Sequence, residues 1–146
     1  MERTFTYDEA STLLPVLESL LRRAVAAKET IEAVDNSFQE LSAKIMVSGG
    51  LLVDIVRAAR RRAEREKATN DLKDSIAEID SIGVQVKDLD IGLLDFPCVI
   101  GGDTILLCWK MGETSITHWH GLEEGFRGRK PVDESIIHPR KSNRPN

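Results

Sequence analysis

The chain has 146 residues, 41% hydrophobic and 30% charged, with 20 lysines and arginines against 24 aspartates and glutamates and a formal net charge of −4. That is the size of one ordinary domain with enough apolar residues for a core, and the acidic balance argues against nucleic acid as the main partner. No stretch approaches the ~20 consecutive apolar residues of a membrane span. The first residues, MERTFTYDEAS, lack the basic segment and apolar run of an export signal, so the cytoplasm is the expected location.

Thr6-Tyr7-Asp8-Glu9 has the T-x-x-E spacing of a capping box, which predicts a helix starting at Tyr7 and running over residues 7–47. One heptad position holds Ala10, Leu17, Ala24, Ile31, Phe38 and Ile45, and the other Leu13, Leu20, Ala27, Val34 and Leu41. That seam of about five heptads belongs to helices that pack along their length, and some 40 helical residues span about 60 Å. Pro15 lies inside it, removes one hydrogen bond and predicts a kink. Leu14, Val16 and Leu21 widen the apolar stripe near the start, where a second neighbour such as a sheet is expected.

Ser48-Gly49-Gly50 reads as a helix–helix turn, and a second helix is predicted over residues 51–82, stopped by Gly83. Its apolar positions include Leu52, Ile55, Val56, Ala68, Leu72, Ile76 and Ile79. Two long helices joined by a short turn form an antiparallel hairpin. The basic stretch around Arg57, Arg60, Arg61, Arg62 and Arg65 is read as a solvated face. Glu64 and Glu66 interleave there, Arg62 and Glu66 are spaced for i,i+4 pairing, and no aromatics accompany the arginines.

From Gly83 the pattern becomes short alternating runs with turn residues, predicting an antiparallel β-meander of three to four strands over residues 84–120. Gly101-Gly102 suits a two-residue hairpin turn, which would set Ile100 opposite Asp103, Cys98 opposite Ile105 and Asp95 opposite Cys108. Gly112-Glu113 suits a type II′ turn, which would set Ile116 opposite Trp109 and His120 opposite Ile105. In that register one face carries Leu94, Phe96, Cys98, Ile105, Leu107, Trp109 and Ile116, together with His118 and His120. The other carries Asp95, Pro97, Val99, Leu106, Cys108 and Trp119, and is apolar enough to need a cover. Pro97 favours an edge or a bulge for its strand. The two cysteines fall on opposite faces and are read as small core residues.

Residues 121–132 (GLEEGFRGRKPV) read as an ordered loop with Phe126 as an anchor, and residues 133–146 as a mobile basic tail. The expected plan is a single α+β domain over residues 1–132.

Several motifs in this order carry a family resemblance. They are Gly83-Val84-Gln85-Val86-Lys87-Asp88, Gly92-Leu93-Leu94-Asp95-Phe96-Pro97, Leu107-Cys108-Trp109, Gly112-Glu113, Trp119-His120 and Gly125-Phe126-x-Gly128-Arg129-x-Pro131-Val132. With Phe5-Thr6 and Leu13-Leu14-Pro15, they resemble an uncharacterised bacterial family, domain-of-unknown-function family 2203, over about residues 5–132. His118 departs from the residue usual at that place. The resemblance implies a domain extent and flags Lys87, Asp88, Asp95, Glu113, His120 and Arg129 as candidate ligand-binding residues. It implies no activity.

Four functional readings follow. Imidazole and carboxylate ligands suit zinc, iron or manganese, so His118, His120, Glu124, Asp88 and Asp90 are candidates for a divalent metal site, with an associated hydrolytic activity. Asp95 could complete the set, but the expected register places it on the face away from His120. Lys87, Arg129 and the glycine loop could bind an anion, or Arg129 could form a structural ion pair with Asp95 or Glu113. A nucleophile would need Cys108 beside His120, which the same register separates, so an enzyme of that kind is not expected. The favoured reading is a binding or assembly module, a homodimer formed through the helical hairpin, because closed two-fold symmetry would bury both exposed stripes.

Overall fold

The computed structural model describes residues 3–48 and 53–139; the turn expected at Gly49-Gly50 lies outside them, as do Leu52 and the side chain of Ile45. Helix α1 spans Tyr7–Ser48 and helix α2 spans Val53–Ile82. The capping box forms in full: Glu9 N–H donates to Thr6 Oγ1 at 3.1 Å, and Thr6 N–H donates to Glu9 Oε1 at 2.8 Å. α1 is one helix through Pro15, which sits on its exposed side, where water can meet the carbonyl that the ring leaves unpaired. Arg23 pairs with Asp71 and Asp35 with Arg65, so the two helices run antiparallel.

The buried line of α1 is Ala10, Leu14, Leu17, Leu21, Ala24, Ala27 and Val34. Near the start Leu14 and Leu21 are buried while Leu13 and Leu20 are only partly so, because that end lies under the sheet. α2 buries Ala68, Ser75 and Ile79, and the Ser75 hydroxyl satisfies itself on the Asp71 carbonyl at 2.7 Å. On the basic stretch Arg61 pairs with Glu64 and Arg65 reaches across to Asp35; the expected Arg62–Glu66 pair does not form.

After α2 the chain forms a consecutive antiparallel sheet of five strands, one more than the most the sequence suggested. They are β1 (Gln85–Asp88), β2 (Leu93–Ile100), β3 (Asp103–Lys110), β4 (His118–Gly121) and β5 (Lys130–Pro131). One face carries Leu94, Phe96, Cys98, Ile105, Leu107 and Trp109 onto α1, and Phe5 meets Phe96 edge-on with ring centroids 5.8 Å apart. The Trp109 indole N–H donates to the Glu113 carbonyl at 3.0 Å.

The β2–β3 register is the expected one, with Ile100 opposite Asp103, Cys98 opposite Ile105 and Asp95 opposite Cys108. Pro97 is nevertheless in an interior strand. It is tolerated because β1 pairs no further than Asp95, so Pro97 lies past the end of its neighbour, and its carbonyl accepts from Phe5 N–H at 2.7 Å.

The β3–β4 register is displaced by one residue from expectation. His120 faces Leu106, Trp119 faces Leu107 and His118 faces Cys108. The turn closes through Glu113 N–H on the Lys110 carbonyl, so its central residues are Met111 and Gly112. Gly112, with φ +104°, is therefore second rather than first, as in a type II turn. The chain then passes through residues 114–117, burying Ile116, whose carbonyl accepts from the Tyr7 hydroxyl at 2.8 Å. A one-residue slip exchanges the faces of a strand. Trp119 moves to the core side, with Lys130 Nζ 4.6 Å over its ring, and His118 and His120 move to the face of Asp95 and Cys108.

Residues 126–128 form a turn of 3₁₀ helix, and Glu134–Ile137 forms helix α3. Asp133 caps α3 by accepting from Ser135 N–H, and Ile136 is buried in the core. The segment expected to be a tail from residue 133 thus begins with a short capped helix that places one apolar side chain in the core.

Candidate metal centre

Asp95 on β2, Cys108 on β3 and His120 on β4 converge on the sheet face away from the helices. All three are buried, and each offers a donor atom within 4.8 Å of the other two. Asp95 and Cys108 are direct cross-strand partners, while His120 lies two residues along, opposite Leu106, and reaches back diagonally. Its Nε2 is 3.1 Å from each Asp95 carboxylate oxygen.

The other ring nitrogen decides the chemistry. His120 Nδ1 lies 2.8 Å from the Gly121 carbonyl oxygen, which can only accept, so Nδ1 carries a proton and Nε2 is the nitrogen turned toward Asp95 and Cys108. Burial, followed by the Asp95 charge, pushes the Cys108 thiol up to about 12, and Arg129 opposes this in part. Such a thiol is a poor nucleophile, and His120 Nε2 contacts the Asp95 carboxylate, with no hydrogen bond to the thiol. Cys108, His120 and Asp95 share a face, against the sequence expectation, yet their hydrogen bonds do not form a nucleophilic triad.

Residues 3–132 match the family described as an uncharacterised conserved protein, DUF2203. The chain belongs to that family. No curated protein and no solved structure matches it.

In this DUF2203 chain the remaining candidates divide among separate sites. Glu113 accepts from Lys110 N–H at 2.7 Å and receives Arg129 Nη2 at 3.2 Å on both oxygens, while Arg129 also reaches the Cys108 carbonyl at 3.5 Å and stacks on Phe126. That pair fastens the segment after β4 to the sheet, the structural alternative to an anion pocket. Asp88 accepts from Asp90 N–H and Ile91 N–H in an exposed turn, and Asp90 pairs with Lys28. Glu124 accepts from Gly121 N–H at 2.8 Å and pairs with Lys130, and the Lys130 ammonium, followed by that N–H, holds its carboxyl below the usual value. His118 contacts the Thr117 hydroxyl at 2.8 Å, and Lys87 is exposed on β1. None of Asp88, Asp90, Glu124 or His118 is among the three clustered donors.

Cys108 was missed as a ligand because its neighbours in LLCWK are apolar and read as core. The signal was present in the β2–β3 register, which puts a carboxylate directly opposite it.

Proposed function

We propose that this protein binds a transition-metal ion, with zinc as the best match, through Asp95, Cys108 and His120. The observation that carries the reading is the fixed tautomer of His120. A carbonyl on Nδ1 with Nε2 facing two further donors is the arrangement that orients metal-ligating histidines. A thiolate, an imidazole and a carboxylate form a zinc-type set, softer than the carboxylate-rich sets that suit manganese. Tetrahedral donors at zinc bond lengths stand about 3.3–3.8 Å apart. The His120–Asp95 separation of 3.1 Å is already near that. The site is closed to solvent, which favours holding an ion over turning over a substrate. The test is cobalt(II) substitution of the purified chain. A thiolate-to-cobalt charge-transfer band that is absent in Cys108→Ala supports the site, and a chain that takes up neither cobalt nor zinc rejects it.

A second reading, assembly of two copies through the hairpin, draws on its far end. There Phe38 and Leu41 are only half-buried, and Ile55 and Val56 are 65% and 59% exposed. A second hairpin would cover this stripe in a four-helix arrangement. Sedimentation equilibrium of the wild type against Ile55→Asp/Val56→Asp tests it: a dimer made monomeric by the change supports the reading, and a wild-type monomer at tens of micromolar rejects it.

A further inference from the structure

The edge of the sheet nearest α2 forms a groove of about 660 Å³ that the metal centre does not use. Its helical wall is a single face of α2, in which Leu72, Ile76 and Ala77 supply the apolar surface. Its other wall is consecutive, Val84 through Lys87, so the groove runs along the rim of the strand and not over one of its faces. β1 is the outermost strand, and among the described residues only β2 hydrogen-bonds to its backbone. A helix face laid beside an open strand edge is the geometry by which domains capture extended peptides. The edge supplies main-chain hydrogen bonds, and the helix supplies a pocket for alternate side chains.

The lining charges narrow the occupant. Lys73 and Lys87 stand at the groove against a single carboxylate, Asp80, and neither lysine is in an ion pair among the described residues. A second copy pairing edge to edge would bring its own lysines against these, which is unfavourable. The chain's own terminus carries Arg140, Lys141 and Arg144 and has the wrong charge. A bulge at Lys87, where Val86 pairs with Leu94 but Asp88 with Leu93, limits the ladder that an added strand can form. We propose that this groove binds an extended peptide of a partner protein, one aliphatic or β-branched side chain seated against Leu72 and Ile76, with acidic residues meeting Lys73 and Lys87.

The test is selection of a random octapeptide library displayed on phage against the full chain, followed by fluorescence anisotropy with the selected synthetic peptides. The expected result is enrichment of aliphatic or β-branched residues alternating with Asp or Glu, with binding that weakens as salt rises. Ala77→Trp fills the groove from an exposed helix position and should weaken binding by about tenfold or more at an unchanged melting temperature. The double variant Lys73→Glu/Lys87→Glu should fold normally and select basic peptides instead. No enrichment, or peptides whose binding survives Ala77→Trp, would overturn the proposal. Self-association abolished by Ala77→Trp would also overturn it, by seating a second copy in the groove.

Discussion

His120 Nε2 lies 3.1 Å from both carboxylate oxygens of Asp95, reaching diagonally across the central strand β3. Both side chains are buried, at 4% and 1% exposure, so neither has water as an alternative partner. Removing one member of such a pair leaves the other uncompensated. Asp95→Ala is expected to destabilise the fold by about 3 kcal/mol in urea denaturation at neutral pH. Asp95→Asn keeps a polar partner and is expected to lose only about 1–2 kcal/mol. Equal losses for the two variants would show that packing, not the polar contact, dominates at this position.

Zinc uptake is expected to release the Cys108 thiol proton, about one per ion, and to tighten as pH rises. That proton is retained in the metal-free chain because burial raises the thiol to about 12. Calorimetric titration in buffers of different ionisation enthalpy measures the count. In Cys108→Ala it should fall toward zero if any uptake persists. A proton-neutral uptake would place the ion elsewhere.

Alkaline stability reports on the second thiol. Burial pushes Cys98 from 9.0 up to about 11 in the folded chain. Below pH 9 the thiol is protonated in both states and contributes no slope. Above it the unfolded chain ionises first and binds fewer protons, so stability falls as pH rises toward 11, by on the order of 2 kcal/mol from this group. Cys98→Ala should show a shallower decline over that window, despite lower stability at neutral pH. Parallel curves would remove Cys98 as the cause.

Two glycines separate crowding from backbone strain. Gly92 has φ +69°, and a Cβ there would stand 2.6 Å from Met111 Cβ, beside the hydrogen bond from Met111 N–H to the Gly92 carbonyl. Gly101 has φ +58° with open space around it. Gly92→Ala is expected to cost more than about 2 kcal/mol and Gly101→Ala about 1 kcal/mol, read as thermal denaturation shifts. Reversal of that order would contradict the packing of Met111 against Gly92.

Local pattern alone was enough to specify the helical hairpin and the first half of the sheet. Thr6 and Glu9 announce a helix start through purely local hydrogen bonds, and the seam from Ala10 to Val34 repeats often enough that no other period accommodates it. Gly101-Gly102 is a turn with one strongly preferred closure, so Asp95 had to face Cys108. The candidate site depended on one further bit of information, the parity of β4. Alternation has a period of two, and a segment such as His118-Trp119-His120 can present either its histidines or its tryptophan to the core. Tertiary packing decided it. Ile116 is drawn into the core beneath Tyr7, Gly112 takes the second turn position, and Trp119 has apolar surface to cover on the helix side. Local sequence cannot weigh those distant contacts, and they alone bring His120 to Asp95 and Cys108.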